Sequence, residues 1–208
     1  MLITFEGIDG SGKSTQATML EQRLRKKGER VLLVREPGGT ELSERVRSIL
    51  LDPGVHINKM AELLLFSAAR SELVEEVLVP ALRNDTIVIC DRFTDSTLAY
   101  QGGGREVAAR DWLEAFNRIV TNGLVPMRTY YLAIDHAEAM RRRELREGGN
   151  NGDRMEQTGT DFYERIISSY DDIAQTDCQR VMRIDGRLPV GEIHDLIWAD
   201  LDELKVEG

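Results

Sequence analysis

Short, mostly apolar runs alternate along the chain with segments in which apolar residues recur every three or four positions. The runs lie at 2–5, 31–34, 86–90, 129–134 and 181–184, and polar or glycine-containing stretches bound them. Continuous apolar runs of this length are typical of strands buried on both faces of a sheet. Because such strands alternate here with helical patterns, we predict an α/β fold. It should be a three-layer sandwich of about five parallel strands with helices on both faces.

The helical patterns carry signals for where helices begin and end. Asn58 precedes one pattern, and Asp135 precedes another with Glu138 three residues later, an arrangement typical of a capping box. Gly28 and Gly123 follow two other patterns, as glycine often follows a helix. Apolar residues at helical spacing lie within 17–24, 46–50, 61–69, 112–120, 162–173 and 193–201.

Length, composition and charge limit the class of protein. The 208 residues are 41% hydrophobic and 30% charged, which fits one globular domain over 1–208 with no separate linker. The net charge of −9 argues against a nucleic-acid partner, which needs a basic face. The first apolar run is too short for a signal peptide, and no run is long enough to span a membrane. We therefore expect a cytoplasmic protein without a membrane partner.

A phosphate-binding motif follows the first predicted strand. Its residues match G-x-x-x-x-G-K-[ST] and lead into a helix: Gly7, Ile8, Asp9, Gly10, Ser11, Gly12, Lys13 and Ser14, with Thr15 next. In this context, glycines allow backbone N–H groups to surround phosphates, and the helix N-terminus adds positive potential. Lys13 would reach the β- and γ-phosphates and Ser14 would ligate Mg²⁺. The motif predicts ATP as phosphoryl donor and Mg²⁺ as cofactor.

A second motif ends the third predicted strand. Asp91 follows the run 86–90, where a carboxylate can hold Mg²⁺ directly or through water. An Asp at a strand end is also a common turn former. Arg92 favours the functional interpretation, since it adds a planar phosphate-binding group beside the carboxylate.

These motifs indicate a P-loop phosphotransferase and leave several members of that class open. A signalling GTPase would need N-K-x-D after a later strand, but Asn58-Lys59 is followed by Met60-Ala61 at a helix start. A regulatory ATP-binding module would not need a second set of phosphate-binding arginines. The closest alternative is another deoxynucleotide or deoxynucleoside kinase on the same fold, and the nucleoside kinase would need a carboxylate base, for which Glu36 is the only obvious loop candidate.

Four segments together resemble thymidylate kinases, the bacterial type with lid arginines in particular. They are 6–15, 35–40, 91–105 and 153–156, and they occur in the family's order between residues 2 and about 175. The Arg-Glu-Pro-Gly-Gly and Tyr-Gln-Gly-Gly-Gly-Arg stretches are more specific than the P-loop. The resemblance implies phosphorylation of dTMP to dTDP by MgATP, within dTTP synthesis, by a homodimer.

The resemblance also implies residues for the base and sugar. Phe66 would stack on thymine and Arg70 would donate to its O4, and the two lie four apart on one predicted helix. Phe66 could instead be a core residue, since apolar residues precede it. Thr97 would read the pyrimidine edge, Tyr100 would fill the space of a ribose 2′-hydroxyl, and Gln101 would make a further contact.

Other positions correspond to the acceptor phosphate and its surroundings. Arg35 and Arg92 would hold that phosphate, and Pro37 belongs to the same substrate loop. Arg105 would join them or be a solvated surface residue. Asp9 would contact the sugar 3′-hydroxyl or the water shell of Mg²⁺.

The last implied element is a mobile lid over ATP at about 141–156. One branch of the family carries an arginine after the acidic P-loop residue, but this chain has Gly10 there. Charge on the transferring group must then be neutralised from the lid. Arg154, within Asp-Arg-Met-Glu, is the expected catalytic arginine, with Arg143 or Arg146 beside it. Together with Lys13, Arg92 and Asp9, Arg154 completes the predicted catalytic set.

Overall fold

A computed structural model describes residues 1–147 and 159–207. Its five strands are β1 Leu2–Glu6, β2 Val31–Arg35, β3 Ile87–Asp91, β4 Arg128–Ala133 and β5 Val181–Asp185. They form one sheet in the order β2-β3-β1-β4-β5, and every neighbouring pair is parallel. The predicted five-stranded parallel sheet is confirmed. From the central β1 the chain crosses to β2 at one edge, returns to β3 beside β1, and then continues to β4 and β5 on the other side. The change of side at β1 places a ligand crevice at the carboxyl end of that strand.

Helices cover both faces of the sheet, as predicted. They are α1 Lys13–Lys26, α2 Glu41–Leu51, α3 Lys59–Leu73, α4 Val79–Arg83, α5 Thr94–Ser96, α6 Arg110–Val120, α7 His136–Glu147, α8 Thr160–Thr176 and α9 Val190–Glu207. Two π-helical stretches, π1 Val74–Leu78 and π2 Thr97–Gly104, continue α3 and α5. None of these helices is long and apolar enough to cross a membrane, within the residues described.

The predicted helix starts are largely confirmed. The Asn58 side chain accepts a hydrogen bond from the Ala61 N–H at 2.9 Å, and the Asp135 carboxylate accepts from the Glu138 N–H at 2.7 Å. Only this half of the predicted capping box forms, because the Glu138 carboxylate binds arginines farther along α7 instead.

The π2 helix was not predicted, and its packing explains why the sequence pattern hides it. Three consecutive glycines end this helix; Gly102 lies against Leu113 of α6, and Gly103 and Gly104 lie against α8. A Cβ atom on Gly104 would come within 2.5 Å of the Phe162 ring. The glycines therefore allow close approach of two helices, although glycine has a low helix propensity in isolation.

The apolar core lies on both sides of the sheet. On one side, α1 and α9 cover Phe5, Leu132 and their neighbours. On the other, α8 and π2 pack over Tyr131, while α3, π1 and α4 cover Val88 and Cys90. The three layers predicted from the apolar runs are thus present.

A buried ion pair crosses between the helical layer and the sheet. Arg180, just before β5, donates from Nη1 and Nη2 to the Asp95 carboxylate of α5 at 2.7 and 3.0 Å. Arg180 Nη1 also donates to Thr129 Oγ1 at 2.9 Å, and Thr129 is bonded to Thr4 of β1. This pair fixes α5 against three strands.

Removing the cation of this pair should destabilise the protein strongly. Arg180→Met leaves the Asp95 carboxylate buried without its partner, which should lower the free energy of unfolding by about 3 kcal/mol. Arg45→Met is the matched control, because the Arg45–Glu41 pair is highly exposed and such pairs contribute little. Urea unfolding of both variants measures the difference. Equal midpoints would show that the buried pair does not stabilise this fold.

Candidate active site

The phosphate-binding loop connects β1 to α1 at the centre of the sheet. Gly7 and Gly10 have φ values of 135° and 84°, which side chains rarely adopt. A Cβ on Gly7 would also lie 2.6 Å from the Leu132 carbonyl oxygen of β4. The loop can follow this path only with glycine at these positions.

Lys13 begins α1 with its side chain turned back into the loop. Its Nζ donates to the Ile8 carbonyl at 2.9 Å. Burial lowers the pKa of the Lys13 ammonium to about 8, and the positive charge of Arg92 acts in the same direction. An anionic phosphate beside this buried amine would stabilise its charged form. The environment therefore suits the predicted contact with ATP phosphates.

The predicted Mg²⁺ residues lie together. Ser14 Oγ, in the first turn of α1, donates to Asp91 Oδ2 at 2.5 Å. Hydroxyl and carboxylate oxygens are the hard ligands that Mg²⁺ prefers, and it usually keeps water and phosphate ligands as well. The described residues contain no group of three or more His, Cys, Asp or Glu that could hold a metal. The two side chains fit a Mg²⁺ site completed by nucleotide and water oxygens.

Glu6, the last residue of β1, is a buried carboxylate whose role the sequence analysis missed. It accepts hydrogen bonds from the Phe93 N–H at 2.7 Å, from the Ser96 hydroxyl at 2.7 Å and from the Tyr170 hydroxyl at 2.8 Å. Burial, followed by the negative charge of Asp95, raises the pKa of Glu6. The one available signal was an acidic residue that ends an apolar run. Its bonds fix the segment that carries Arg92.

Arg92 joins the phosphate-binding loop to the neighbouring cleft. It has a φ of 76°, unusual for a residue with a side chain. Its Nη2 donates to Asp9 Oδ1 at 2.7 Å and to the Tyr100 hydroxyl at 3.1 Å, and its Nη1 donates to the Gly7 carbonyl at 2.9 Å. Three predicted site residues therefore meet at one guanidinium group.

The cleft beside the loop contains nearly all of the predicted substrate residues. It brings together Asp9, Pro37, Phe66, Arg70, Arg92, Thr97, Tyr100 and Gln101. The same wall includes Glu36 and Arg47. Phe66 packs on a small apolar cluster of α2 and α3 while its half-buried ring faces the cleft, so both interpretations of this residue have a basis.

Arg70 is held rigidly in the cleft wall. Its Nε donates to Glu36 Oε2 at 2.7 Å, its Nη1 to Thr97 Oγ1 at 2.5 Å and its Nη2 to the Phe93 carbonyl at 2.9 Å. Burial raises the pKa of Glu36 to about 7, although Arg70 opposes the shift. The arginine is preorganised by three different segments.

Two arginines predicted near the acceptor phosphate, Arg35 and Arg105, do not line the cleft. Arg35 lies outside the cleft, where its Nη2 pairs with Glu44 at 3.3 Å in an exposed position. Arg105 binds Glu62 through Nε and Nη2 at 3.1 and 3.2 Å and does not line the cleft. Arg47 of α2, which the sequence analysis did not select, does line it and donates to the Pro37 carbonyl at 3.0 Å. A phosphate contact from Arg35 stays a prediction.

The start of the predicted lid packs on the phosphate-binding loop. Arg142 of α7 donates to the Gly186 carbonyl at 2.8 Å and to the Gly10 and Ser11 carbonyls at 3.4 Å, a role not foreseen for it. Arg143 lies beside it on α7. Arg154 and most of the lid fall outside the described residues, so their roles stay predictions.

The fold and the site define a class. A parallel sheet carries a P-loop, a Ser–Asp pair suited to Mg²⁺ and an adjoining cleft lined by arginines, which is the arrangement of a P-loop phosphotransferase. The family model described as thymidylate kinase matches residues 5–197, and the chain belongs to the thymidylate kinase family. It is a nucleoside monophosphate kinase.

Individual relatives agree with this assignment over almost the full chain. A thymidylate kinase of Chlorobaculum parvum is 45% identical over 212 residues, which cover 99% of this chain and 97% of the relative. One of Deinococcus radiodurans is 43% identical over 203 residues, covering 98% and 97%. The crystal structure of thymidylate kinase from Ehrlichia chaffeensis matches with a TM-score of 0.76 and 34% identity, covering 97% of this chain and 98% of that one.

Mutation of Arg47 and of Arg35 tests the contact of each with the acceptor. Arg47→Ala should raise KM for the monophosphate by about 10- to 100-fold, because a hydrogen bond to a charged group contributes about 1.5–3 kcal/mol, and should leave KM for ATP nearly unchanged. Arg35→Ala should raise KM for the monophosphate in the same way, because Arg35 has only to leave an exposed ion pair with Glu44 to reach a phosphate, and such pairs are weak. Steady-state kinetics with each substrate varied in turn measures both. A change of less than threefold from Arg35→Ala would remove that residue from the phosphate site.

Proposed function

We propose that this enzyme transfers the γ-phosphoryl group of MgATP to dTMP, giving ADP and dTDP for the synthesis of dTTP. The main support for the proposal is that the phosphate-binding loop and the cleft share one wall. Arg92 contacts the phosphate-binding loop through Gly7 and Asp9 and also lines the cleft that holds Phe66 and Arg70. An acceptor phosphate in that cleft would lie beside the donor phosphates, as an in-line transfer requires.

On the donor side, the loop backbone and Lys13 would hold the ATP phosphates. Ser14 and Asp91 would hold Mg²⁺, which supplies charge neutralisation on the phosphates when it is bound. Thr15, the next residue of α1, is exposed and would also contact the ATP. Arg143 and Arg154 would add positive charge near the transferring group, a role that rests on the resemblance of the lid motif.

On the acceptor side, Arg92 and Arg35 would hold the dTMP phosphate, with Arg47 of the cleft wall beside them. Phe66 offers a face for stacking on the base, and the rigid Arg70 supplies N–H donors suited to a carbonyl. Tyr100, fixed by Arg92, would fill the space of a 2′-hydroxyl group. Asp9 would accept the 3′-hydroxyl or order water around Mg²⁺.

A nucleoside kinase is the second candidate, because of Glu36. It lines the cleft, its Oε1 is buried without a hydrogen-bond partner in the described part of the chain, and its pKa is near 7. A carboxyl group with such a pKa can serve as a general base for a hydroxyl acceptor. Its ion pair with Arg70 favours a structural role instead.

A coupled ADP-release assay with six acceptors separates these functions. dTMP should be the best substrate, dUMP should follow, and dCMP, dGMP, dAMP and thymidine should give little turnover. Lys13→Ala should lose turnover with every acceptor, since the P-loop lysine acts on the donor. Faster turnover with thymidine than with dTMP would identify a nucleoside kinase. No turnover with any acceptor would contradict both functions.

We also propose that the enzyme is a homodimer. Three adjacent helices, α2, α3 and α6, expose large apolar side chains at spacings of four or seven residues: Leu42, Ile49, Met60, Leu64, Trp112 and Ile119. Trp112 also stacks on Phe116 with ring centroids 5.0 Å apart. Contiguous exposed apolar surface of this kind marks protein interfaces, and a two-fold axis would bury it against itself.

A charge on this surface should separate the subunits. Light scattering should give the wild type about twice its chain mass of 23.5 kDa, and Leu64→Glu should reduce that mass by half, because a buried unpaired carboxylate is costly. Val190→Glu, at an exposed apolar position on α9, should leave the mass unchanged. A wild type with the mass of one chain would contradict the dimer.

A further inference from the structure

Gln101 is positioned by a residue that does not itself line the cleft. Gln101 lies on π2, is 2% exposed and forms part of the cleft wall. Its side-chain Nε2 donates to Glu62 Oε1 at 3.2 Å. Glu62 is 1% exposed and precedes Phe66 by one turn of α3. One helix therefore carries both the stacking residue and the group that orients Gln101.

The charge of Glu62 decides which end of the Gln101 amide can face it. Arg105 binds both carboxylate oxygens of Glu62, so Glu62 is the anion of a buried ion pair. An ionised carboxylate only accepts hydrogen bonds, and only the NH₂ end of an amide donates them. Turning the amide over would bring two acceptors together. Gln101 must therefore direct its carbonyl oxygen away from Glu62, and within the described residues that oxygen has no protein partner.

Thr97, four residues earlier on π2, is constrained to donate a hydrogen bond to the cleft, whereas Gln101 is constrained to accept one. Its Oγ1 accepts a hydrogen bond from Arg70 Nη1 at 2.5 Å, so its own hydroxyl proton is left to be donated. The cleft wall thus offers a donor at Thr97 beside an acceptor at Gln101. Neither arrangement can reverse while Arg70 and Glu62 keep their charges.

A donor at Thr97 beside an acceptor at Gln101 is complementary to the base edge of thymine or uracil, but not to that of cytosine. Thymine and uracil present an O4 acceptor beside an N3–H donor, whereas cytosine presents an amino donor at C4 beside an N3 acceptor. We propose that Glu62 is the positioning residue that selects thymine over cytosine, because it holds the Gln101 amide with its carbonyl oxygen toward the base. This inference rests on the proposed function. A mismatch at two buried polar positions should give wild-type discrimination of about 10⁴-fold in kcat/KM.

The test is Glu62→Gln, which keeps the shape of the side chain and removes its charge. The new amide can donate as well as accept, so the Gln101 amide becomes free to turn over. The dTMP:dCMP ratio of kcat/KM should fall at least tenfold, mainly through a higher KM for dTMP, while KM for ATP stays within twofold. Glu72→Gln, an exposed position on the same helix, is the matched control and should keep the wild-type ratio.

Each result either supports or overturns the proposal. A folded Glu62→Gln variant that keeps the wild-type ratio overturns it, and so does one that loses activity equally toward both pyrimidines and ATP, as a purely structural role would produce. If this variant does not fold, Gln101→Met removes the acceptor and keeps the Glu62–Arg105 pair, and an unchanged ratio there is equally decisive. A wild type that uses dTMP and dCMP within tenfold of each other overturns this proposal alone. A wild type inactive with every monophosphate overturns the proposed function instead.

Discussion

The Glu6 carboxylate, at the end of β1, holds together the parts on which the rest of the site depends. Burying a carboxylate costs several kcal/mol unless hydrogen bonds replace its water, and here the replacement comes from the segment after β3 and from α8. The bonds stabilise the backbone on which Arg92 keeps its positive φ. Because Arg92 in turn binds Asp9 and Tyr100, one carboxylate aligns the donor loop with the acceptor cleft.

The sheet and the phosphate-binding loop were predictable because each depends on local sequence. A strand buried on both faces must be apolar, and a loop that wraps phosphates must have glycine at positions such as Gly7. The π2 helix was not predictable in this way. Its glycines are unfavourable for a helix until α6 and α8 are placed against them, with Phe162 of α8 on Gly104, and these contacts join segments distant in sequence.

The site also has some features that depend on local sequence and others that depend on tertiary contacts. Tyr100 could be assigned to the cleft because it lies within a specific motif, and Phe66 and Arg70 because the resemblance assigns a base-binding pair to one face of a predicted helix. Arginines were harder to assign, since a guanidinium group suits a phosphate, a carboxylate or a carbonyl equally well. Arg105 forms an ion pair with Glu62, Arg35 forms one with Glu44, and Arg142 donates hydrogen bonds to carbonyl groups. Which partner each one meets depends on tertiary packing.

The position of α7 against the loop restricts how the enzyme could be rebuilt. Gly10 has a φ of 84°, and a Cβ there would lie 3.0 Å from the Ala139 carbonyl oxygen of α7. A side chain at this position would meet fixed backbone on a strained segment, so an arginine grafted into the loop would require α7 to move. The two arrangements are an arginine in the loop, or Gly10 in the loop with arginines supplied by the lid. A protein changed from the second to the first, by design or in evolution, would need substitutions in both the loop and α7, since a variant with only the loop altered is sterically unfavourable.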